Sequence, residues 1–401
     1  MVSARTYLRH SRGREWIMAK RIGKSLVVQG TTLVNETAWN AELEAKHEKL
    51  VEWLRAEKLG GILLKRNENI AWITGGAVEE VVCAAVETAV VSVLITAEGK
   101  RYYLTTENEA PRAHDEEFGA LDFEPVIFPW FADDTAATAA RLAGGPLASD
   151  TPGVGDKVVS LFPLRAALTE PEIARFKWLG AETAAATSES LHQVEPGLSE
   201  YDLEAITTAN LFRRGILPSV HLYAVDERIF KYKHAVPRGA RLKNYAMLNL
   251  CARKWGLAIS ITRFVHFGAL PAELAARFQS AARVNAALLA ATKVGATSAG
   301  LYKVAQEAYA AEGFPGEERF HHQGGPCGYG EREWVATPDG SQVVVDNQAF
   351  AWNPSIRGGK AEDTVVLRGG KIEWLTATPN LPVLHAEIGG VDYPSAGVLV
   401  R

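Results

Sequence analysis

Cysteine is scarce in this sequence of 401 residues: its three cysteines, Cys83, Cys251 and Cys327, stand far apart. They do not form the closely spaced pairs of a structural zinc site, so we expect reduced thiols and no disulfide. No apolar run approaches the roughly 18 to 20 residues needed to cross a bilayer, and no apolar core of a secretory signal is present. These absences predict a cytoplasmic protein that neither spans a membrane nor is exported.

A large excess of charge of one sign is also missing, because 43 Lys and Arg face 47 Asp and Glu. The charge balance therefore gives no reason to expect nucleic acid as a partner, and a small-molecule or dipeptide-sized substrate is the better default. Residues 1–35 are the exception, since Glu15 is their only acid among several Arg and Lys. We interpret them as a basic N-terminal tail, with a transit peptide or a later start at Met18 as alternatives.

The length of the chain predicts two domains, each with its own core. Leu43, Leu50, Val51 and Leu54 recur at helical spacing, and Gly60-Gly61 ends this helix before a short apolar strand. Further short apolar runs separated by turn residues follow. The pattern predicts an α/β N-terminal domain over residues 36–165.

The second domain is expected over residues 166–385, and residues 386–401 as a C-terminal tail. Two pairs of long helices are predicted here, one after the capping residue Thr169 and one from Pro271 onward. Each pair is followed by β-rich sequence. This order indicates a duplicated unit of two helices and strands.

Six motifs carry a family resemblance, in the order NIAWITGG (69–76), EPGLSEYDLE (195–204), KHAVPRGARLKN (233–244), LNLCARKWGLAISITR (248–263), HHQGG (321–325) and WNPSI…KAEDT (352–364). In this order the chain resembles the creatinase, aminopeptidase P and prolidase superfamily over about residues 40 to 385. The resemblance implies the α/β architecture of that group: a creatinase-like N-terminal domain followed by a catalytic domain with the pita-bread fold, a duplicated ααβ unit.

Metallopeptidases of this superfamily bind two divalent ions through two Asp, one His and two Glu. The matching positions here are Asn249, Ser260, His322, Asn353 and Glu362, unless a gap shift puts Pro326 in place of His322. Asn and Ser supply no negative charge to offset a pair of divalent ions. We therefore expect no metal cofactor, with a single weakly held ion as the alternative.

Creatinase resembles this chain in lacking the full set of metal ligands, because it uses the same fold without metal and has an Asn where this chain has Asn249. The resemblance implies that His234 is the principal acid and base, a role suited to an imidazole at neutral pH. His322 would bind the developing oxyanion or carry a second proton. Glu362 would orient a substrate nitrogen or fix a histidine tautomer.

The remaining candidate residues are expected to bind substrate. Asn249, Ser260 and Asn353 would supply neutral hydrogen bonds, and Arg263 would bind a substrate carboxylate. Trp352 is a candidate because it adjoins Asn353. Arg332 and Glu333 would either contact the substrate or form a solvated ion pair with each other. Creatinase has a Glu near the position of Thr262, so creatine itself is not expected as the substrate.

Three functions follow from these residues. The leading one is a metal-independent, creatinase-like hydrolase that cleaves a C–N bond in a small amide, amidine or cyclic compound. The alternatives are an Xaa-Pro aminopeptidase or dipeptidase that uses Mn, Zn or Fe in an altered shell, and a pita-bread protein that binds without catalysis. The resemblance also implies a homodimer, in which Arg66 and its neighbours complete the pocket of the partner.

Overall fold

The computed structural model describes residues 20–22, 25–28, 31–79 and 87–401. Cys83 therefore lies outside the described residues, as does most of the basic tail. Cys251 and Cys327 are both buried free thiols. Within the described ranges, none of the helices has the length and apolar character that crossing a bilayer requires.

The end of the predicted basic tail is part of the fold. Its strands form a small antiparallel sheet and are β1 Lys20–Ile22, β2 Ser25–Val28 and β3 Thr31–Val34. Leu26, Val28 and Val34 pack against Trp39 of the following helix and Trp255 of the second domain. Apolar burial thus orders this segment in spite of its basic composition.

The N-terminal domain is an α/β layer built on a mixed sheet of six strands in the order β7-β6-β5-β4-β8-β9. Its elements are α1 Glu36–Ala56, β4 Gly61–Arg66, α2 Asn67–Ile73, β5 Thr88–Thr96, β6 Arg101–Thr106, α3 Ala110–Arg112, β7 Glu124–Phe128, α4 Thr135–Ala143, β8 Leu147–Ser149 and β9 Lys157–Val158. A π-helical turn, Ala113–Phe118, follows α3. Asn35 caps α1 by accepting the backbone N–H of Ala38, which fixes where this helix begins.

The first half of the second domain contains two long helices and then a sheet. Its elements are α5 Phe162–Arg165, α6 Glu170–Gln193, α7 Glu200–Phe212, β10 Leu217–Val225, α8 Glu227–Lys231, β11 Tyr245–Lys254 and β12 Leu257–His266. Thr169 with Glu172 and Ser199 with Asp202 form capping boxes at the starts of α6 and α7. Strands β10, β11 and β12 are antiparallel neighbours.

The second half repeats this order. Its elements are α9 Ala272–Ala291, α10 Ser298–Ala311, β13 Gly324–Cys327, β14 Gln348–Trp352, β15 Ser355–Ile356, β16 Gly359–Lys360, β17 Asp363–Arg368 and β18 Lys371–Trp374. A 3-10 turn, Glu317–Phe320, precedes β13. The sheet order β13-β14-β17-β18 mirrors the first half, so the predicted ααβ duplication is present.

The end of the chain, including the predicted tail of residues 386–401, is a set of short strands. They are β19 Val383–Leu384, β20 Glu387–Ile388, β21 Val391–Asp392, β22 Ser395–Ala396 and β23 Val398–Val400. The last of them pairs in parallel with β12, where Phe264 is opposite Val398. Residues 386–401 are therefore part of the second domain, because β23 completes the edge of its first sheet.

Candidate functional site

The site begins on the hairpin of β11 and β12. Asn249 is directly opposite Thr262 in this ladder, and Cys251 is opposite Ser260. All four side chains are buried. Side chains alternate along a strand, so Asn249 and Cys251 lie on one face of the sheet. Ser260, opposite Cys251, lies on that face too. The first two superfamily ligand positions, Asn249 and Ser260, are therefore on the same face.

The second sheet supplies the remaining positions. Trp352, the last residue of β14, pairs with Gly324 on one side and with Asp363 on the other. The next step of the same register places Asn353 beside Gln323 and Glu362, and the backbone N–H of Asn353 donates to Gln323 O at 3.0 Å. The two sheets meet where Ser260 N–H donates to Thr364 Oγ1 at 2.9 Å. This junction brings four of the five positions together.

Glu362 is a buried carboxylate held by several donors. Its Oε2 accepts from Asn249 Nδ2 at 2.7 Å and from the hydroxyl of Thr262, and Lys360 Nζ lies 2.9 Å from the same oxygen. Arg332 binds the other oxygen at 3.0 Å. Burial alone would raise the pKa of Glu362, but Lys360, Arg332 and Thr262 outweigh it and lower the pKa to about 2. Glu362 is therefore ionised at neutral pH.

The predicted role of Glu362 is not the one seen in these contacts. Its hydrogen bonds join it to two cations and two neutral side chains, whereas the prediction placed a substrate nitrogen or a histidine there. Lys360 was missed in the sequence, although an extended chain puts residues i and i+2 on the same face, and Lys360 precedes Glu362 by two. That spacing is the signal by which it could have been found.

Arg332 joins two of the superfamily ligand positions. Its NH1 group donates to Ser260 Oγ at 2.8 Å, while its NH2 group is paired with Glu362. Glu333, the predicted partner of Arg332, instead forms a salt bridge with Arg165 at 2.6 Å. The solvated ion pair predicted between Arg332 and Glu333 is thus replaced by two separate pairs, both largely shielded from water.

A pair of divalent ions does not fit this set of residues. Of the five ligand positions only Glu362 provides a carboxylate, and both of its oxygens are already bound to cations of the protein itself. The buried Oδ1 atom of Asn353 accepts no hydrogen bond among the described residues, but it contributes only a neutral carbonyl oxygen. Two further positive ions would face Lys360 and Arg332 with too little negative charge between them.

Three histidines lie beside this cluster. The Nε2 atoms of His234 and His321 are 2.9 Å apart, so one of them donates and the other accepts. The rings of His321 and His322 stack with centroids 4.5 Å apart, and Gly324 N–H donates to His322 Nδ1 at 3.2 Å. His321 is buried, while His234 and His322 reach solvent. The structure thus brings His321, the first residue of the HHQGG motif, into direct contact with His234.

The histidines are uncharged at neutral pH. Enclosure of the rings by the protein, followed by repulsion from Lys360, lowers the pKa of His234 below its usual value and that of His321 to about 2. Enclosure and Arg332 lower the pKa of His322 to about 4. Neutral imidazoles keep a lone pair for accepting a proton, which is the property that a general base requires.

Two predicted substrate contacts have structural roles instead. Arg263 is buried, and its five N–H groups donate to Thr378, Thr262 O, Glu362 O, Asp363 and Thr376 O. This leaves it no donor for a substrate carboxylate. Trp352 is also buried, and its indole N–H donates to Thr292 Oγ1 at 3.0 Å inside the core of the second domain. Both side chains are therefore committed to contacts within the protein.

A cleft of about 750 Å³ opens next to Arg332. Both domains line it, since Arg66 and Glu68 come from the N-terminal domain, and His221 and the segment 329–333 from the second. Its volume suits a small molecule. Arg66, which the resemblance placed in the pocket of a partner, lines the cleft of its own chain.

The two cysteines of this region are not activated. Burial raises the pKa of Cys251 to about 11 and that of Cys327 to about 12. Cys251 Sγ lies 3.0 Å from Ser260 Oγ, as one neutral hydrogen-bonding group beside another. Both thiols stay protonated at neutral pH and do not act as nucleophiles.

The fold and the ligand positions define a pita-bread domain of the metallopeptidase type, preceded by its usual α/β partner. Residues 176–372 match the family Metallopeptidase family M24, and residues 46–162 match the Creatinase/Prolidase N-terminal domain. The chain therefore belongs to the creatinase, aminopeptidase P and prolidase superfamily. The predicted family and fold class are confirmed, and the matches support a hydrolase of the M24 family.

Solved structures share this fold at low sequence identity. The dipeptidase PepE from Mycobacterium ulcerans superposes with a TM-score of 0.70 at 15% identity, covering 90% of this chain and 99% of that one. The Xaa-Pro dipeptidase from Bacillus anthracis gives 0.68 at 17% identity, covering 90% and 100%. The N-terminal domain of the FACT complex subunit SPT16 from chickpea, Cicer arietinum, gives 0.60 at 12%, covering 84% and 96%. No curated protein matches the sequence.

Proposed function

We propose that this protein is a metal-independent hydrolase that cleaves a C–N bond in a small amide, amidine or cyclic compound. The observation that supports this most directly is the pairing of Lys360 and Arg332 with Glu362, the one carboxylate among the superfamily ligand positions. Two protein cations stand where the metallopeptidases of this family bind metal. Fixed positive charge in a partly dry site stabilises a developing oxyanion, as a metal ion does.

The acid and base in this mechanism is His234. In the tautomer in which His234 Nε2–H donates to His321, the Nδ1 atom of His234 has a free lone pair. This nitrogen takes a proton from water as the water oxygen bonds to the scissile carbon. It returns the proton to the departing nitrogen as the C–N bond breaks. His321 acts as a positioning residue, because its hydrogen bond orients the ring of His234.

The charges of the site favour a substrate with an anionic group. Lys360 and Arg332 carry two positive charges against the single negative charge of Glu362, which leaves a surplus of one. In addition, Arg332 Nε is buried and has no acceptor in the described part of the chain. A carboxylate on the substrate would supply both the charge and the acceptor.

The test is hydrolysis by protein from which metal has been removed. A panel of N-acyl amino acids, dipeptides and carboxylate-bearing amidines is offered to EDTA-treated wild type and to His234→Ala. We expect turnover without metal, and a loss of about 10² or more in kcat/KM for the variant. Activity that disappears on chelation and returns with a divalent ion contradicts the proposal.

A metal-dependent Xaa-Pro dipeptidase is the second candidate, favoured by the fold shared with the B. anthracis dipeptidase. It requires turnover of proline dipeptides by Mn-loaded or Zn-loaded protein and loss of that turnover on chelation. The third candidate is a protein that binds a ligand without catalysis, and the chickpea SPT16 domain shares its fold. This candidate predicts that amides or dipeptides raise the thermal stability of the protein and that no product forms. The homodimer stays a prediction, to be checked by light scattering in solution.

A further inference from the structure

The three histidines also form a group of nitrogen ligands. One ring nitrogen from each of His234, His321 and His322 lies within 4.8 Å of the other two. His321 Nδ1 is buried and has no hydrogen-bond partner among the described residues. We propose that these three imidazoles bind one transition-metal ion, for which Zn²⁺ is the probe, and that the ion inhibits the enzyme.

The donor type decides which ions fit. Imidazole nitrogens suit Zn²⁺, Cu²⁺ and Ni²⁺, whereas Mg²⁺ and Mn²⁺ prefer carboxylate oxygens, which this group does not contain. The group differs from the superfamily dimetal positions, with which it shares His322 alone. It therefore predicts selectivity for Zn²⁺ over Mn²⁺, opposite to that of a carboxylate-rich centre.

The geometry needs a small adjustment to receive the ion. Two imidazole nitrogens on one tetrahedral Zn²⁺, each at about 2.0–2.1 Å, are about 3.3 Å apart. His234 and His321 Nε2 are at 2.9 Å, so a shift of a few tenths of an ångström makes room. His234 and His322 reach solvent, which gives the ion a path of entry. Three protein ligands leave the fourth position for water.

The ion is expected to exchange with solution. None of the three ligands carries negative charge. Besides burial, Lys360 lowers the pKa of all three rings, and Arg332 lowers that of His234 and His322. The positive charge of Lys360 and Arg332 also opposes a divalent ion. Inhibition rests on the proposed function: when Nε2 of His234 binds the metal, the neutral ring carries its proton on Nδ1, which then has no lone pair to accept a proton from water.

The binding experiment is calorimetric titration of the EDTA-stripped full chain with Zn²⁺ and with Mn²⁺. We expect one Zn²⁺ per chain, affinity at least tenfold lower in His234→Ala, His321→Ala and His322→Ala, and at least tenfold weaker binding of Mn²⁺ to wild type. His385→Ala is the matched control, because His385 is exposed and paired with Asp392 outside the cluster. Circular dichroism checks that each variant is folded. Absence of stoichiometric Zn²⁺ binding, or binding that folded triad variants leave unchanged, overturns the site.

An activity measurement separates this inference from the proposed function. If amide hydrolysis is found, Zn²⁺ at saturation should abolish it and EDTA should restore it. Hydrolysis that continues at saturating Zn²⁺ overturns the inhibition and leaves the proposed function standing. Zn²⁺ binding of the expected kind, in a protein that turns over no amide, supports the site and contradicts the proposed function.

Discussion

Lys360 Nζ lies 2.9 Å from Glu362 Oε2, with both side chains buried. Glu362 stands at a position where metallopeptidases of the superfamily have a metal ligand, so its carboxylate here neutralises a side chain of the same protein. Arg332 on the other oxygen completes the arrangement. A buried carboxylate with fewer partners would be costly, and two cations allow it to stay ionised.

Replacing Lys360 by Met tests this arrangement. The change leaves Glu362 with Arg332 as its one cation, so the pKa of Glu362 should rise and the free energy of unfolding should fall by about 3 kcal/mol. Urea unfolding at pH 7 measures the loss. Lys371→Met, at an exposed position of β18, is the control and should stay within about 0.5 kcal/mol of wild type.

The same variant addresses the chemistry. If Lys360 stabilises the oxyanion, Lys360→Met should lose about 10² or more in kcat, whereas Lys360→Arg should recover part of it. Full activity in folded Lys360→Met would show that this ammonium group has no part in the reaction.

The lowered pKa of His234 predicts where kcat/KM falls at acid pH. Because its pKa is lowered, the neutral base persists to a pH below the value of about 6.5 usual for histidine. The fall of the wild-type kcat/KM towards acid should therefore be centred below pH 6.5. Initial rates between pH 4 and 8 check this, with His385→Ala expected to follow wild type. An acid limb centred above 6.5 would rule out His234 as the base in its observed surroundings.

Those parts of the site whose residues are close in the chain, or belong to the family motifs, could be predicted from the sequence. The hairpin with Asn249 and Ser260, and the positions of His234 and Glu362, followed from motif order. The pairing of Arg332 with Glu362 did not, because these residues are 30 apart in the chain and meet only once β13 and β17 have come together in the second sheet. The burial of Arg263 could not be predicted from the sequence either, since its acceptors are mostly backbone carbonyls that the fold brings together. The ordered end of the basic tail depended on distant apolar partners such as Trp255.

Arg263→Lys distinguishes a structural arginine from a substrate contact. Lysine cannot replace five planar N–H donors, so several buried acceptors lose their partners and the free energy of unfolding should fall by about 3 kcal/mol. The KM for a carboxylate substrate should change less than about twofold. Arg141→Lys, at an exposed position of the N-terminal domain, is the control for stability. A tenfold rise in KM with unchanged stability would restore the substrate contact first predicted for Arg263.

The surroundings of Glu42 predict how the free energy of unfolding changes at acid pH. Its carboxylate lies between Arg175, at 2.5 and 3.0 Å, and Lys46 at 2.8 Å, and all three side chains are buried where α1 meets α6. Burial alone would raise the pKa of Glu42, but Lys46 and Arg175 lower it from 4.5 to about 2. Because the folded pKa is the lower one, the stabilisation is present above about pH 4.5. It is lost as the pH falls from there towards 2.

A shift of this size corresponds to about 3 kcal/mol at neutral pH. Glu42→Gln should remove that contribution, and its free energy of unfolding should fall less steeply between pH 4.5 and 2 than that of wild type. Urea unfolding at pH 7, 4 and 3 gives the comparison, with the exposed Glu52→Gln as the matched control on the same helix. Equal slopes for wild type and Glu42→Gln would mean that this carboxylate does not keep its low pKa in the folded protein, and that other groups such as Glu362 determine the acid response.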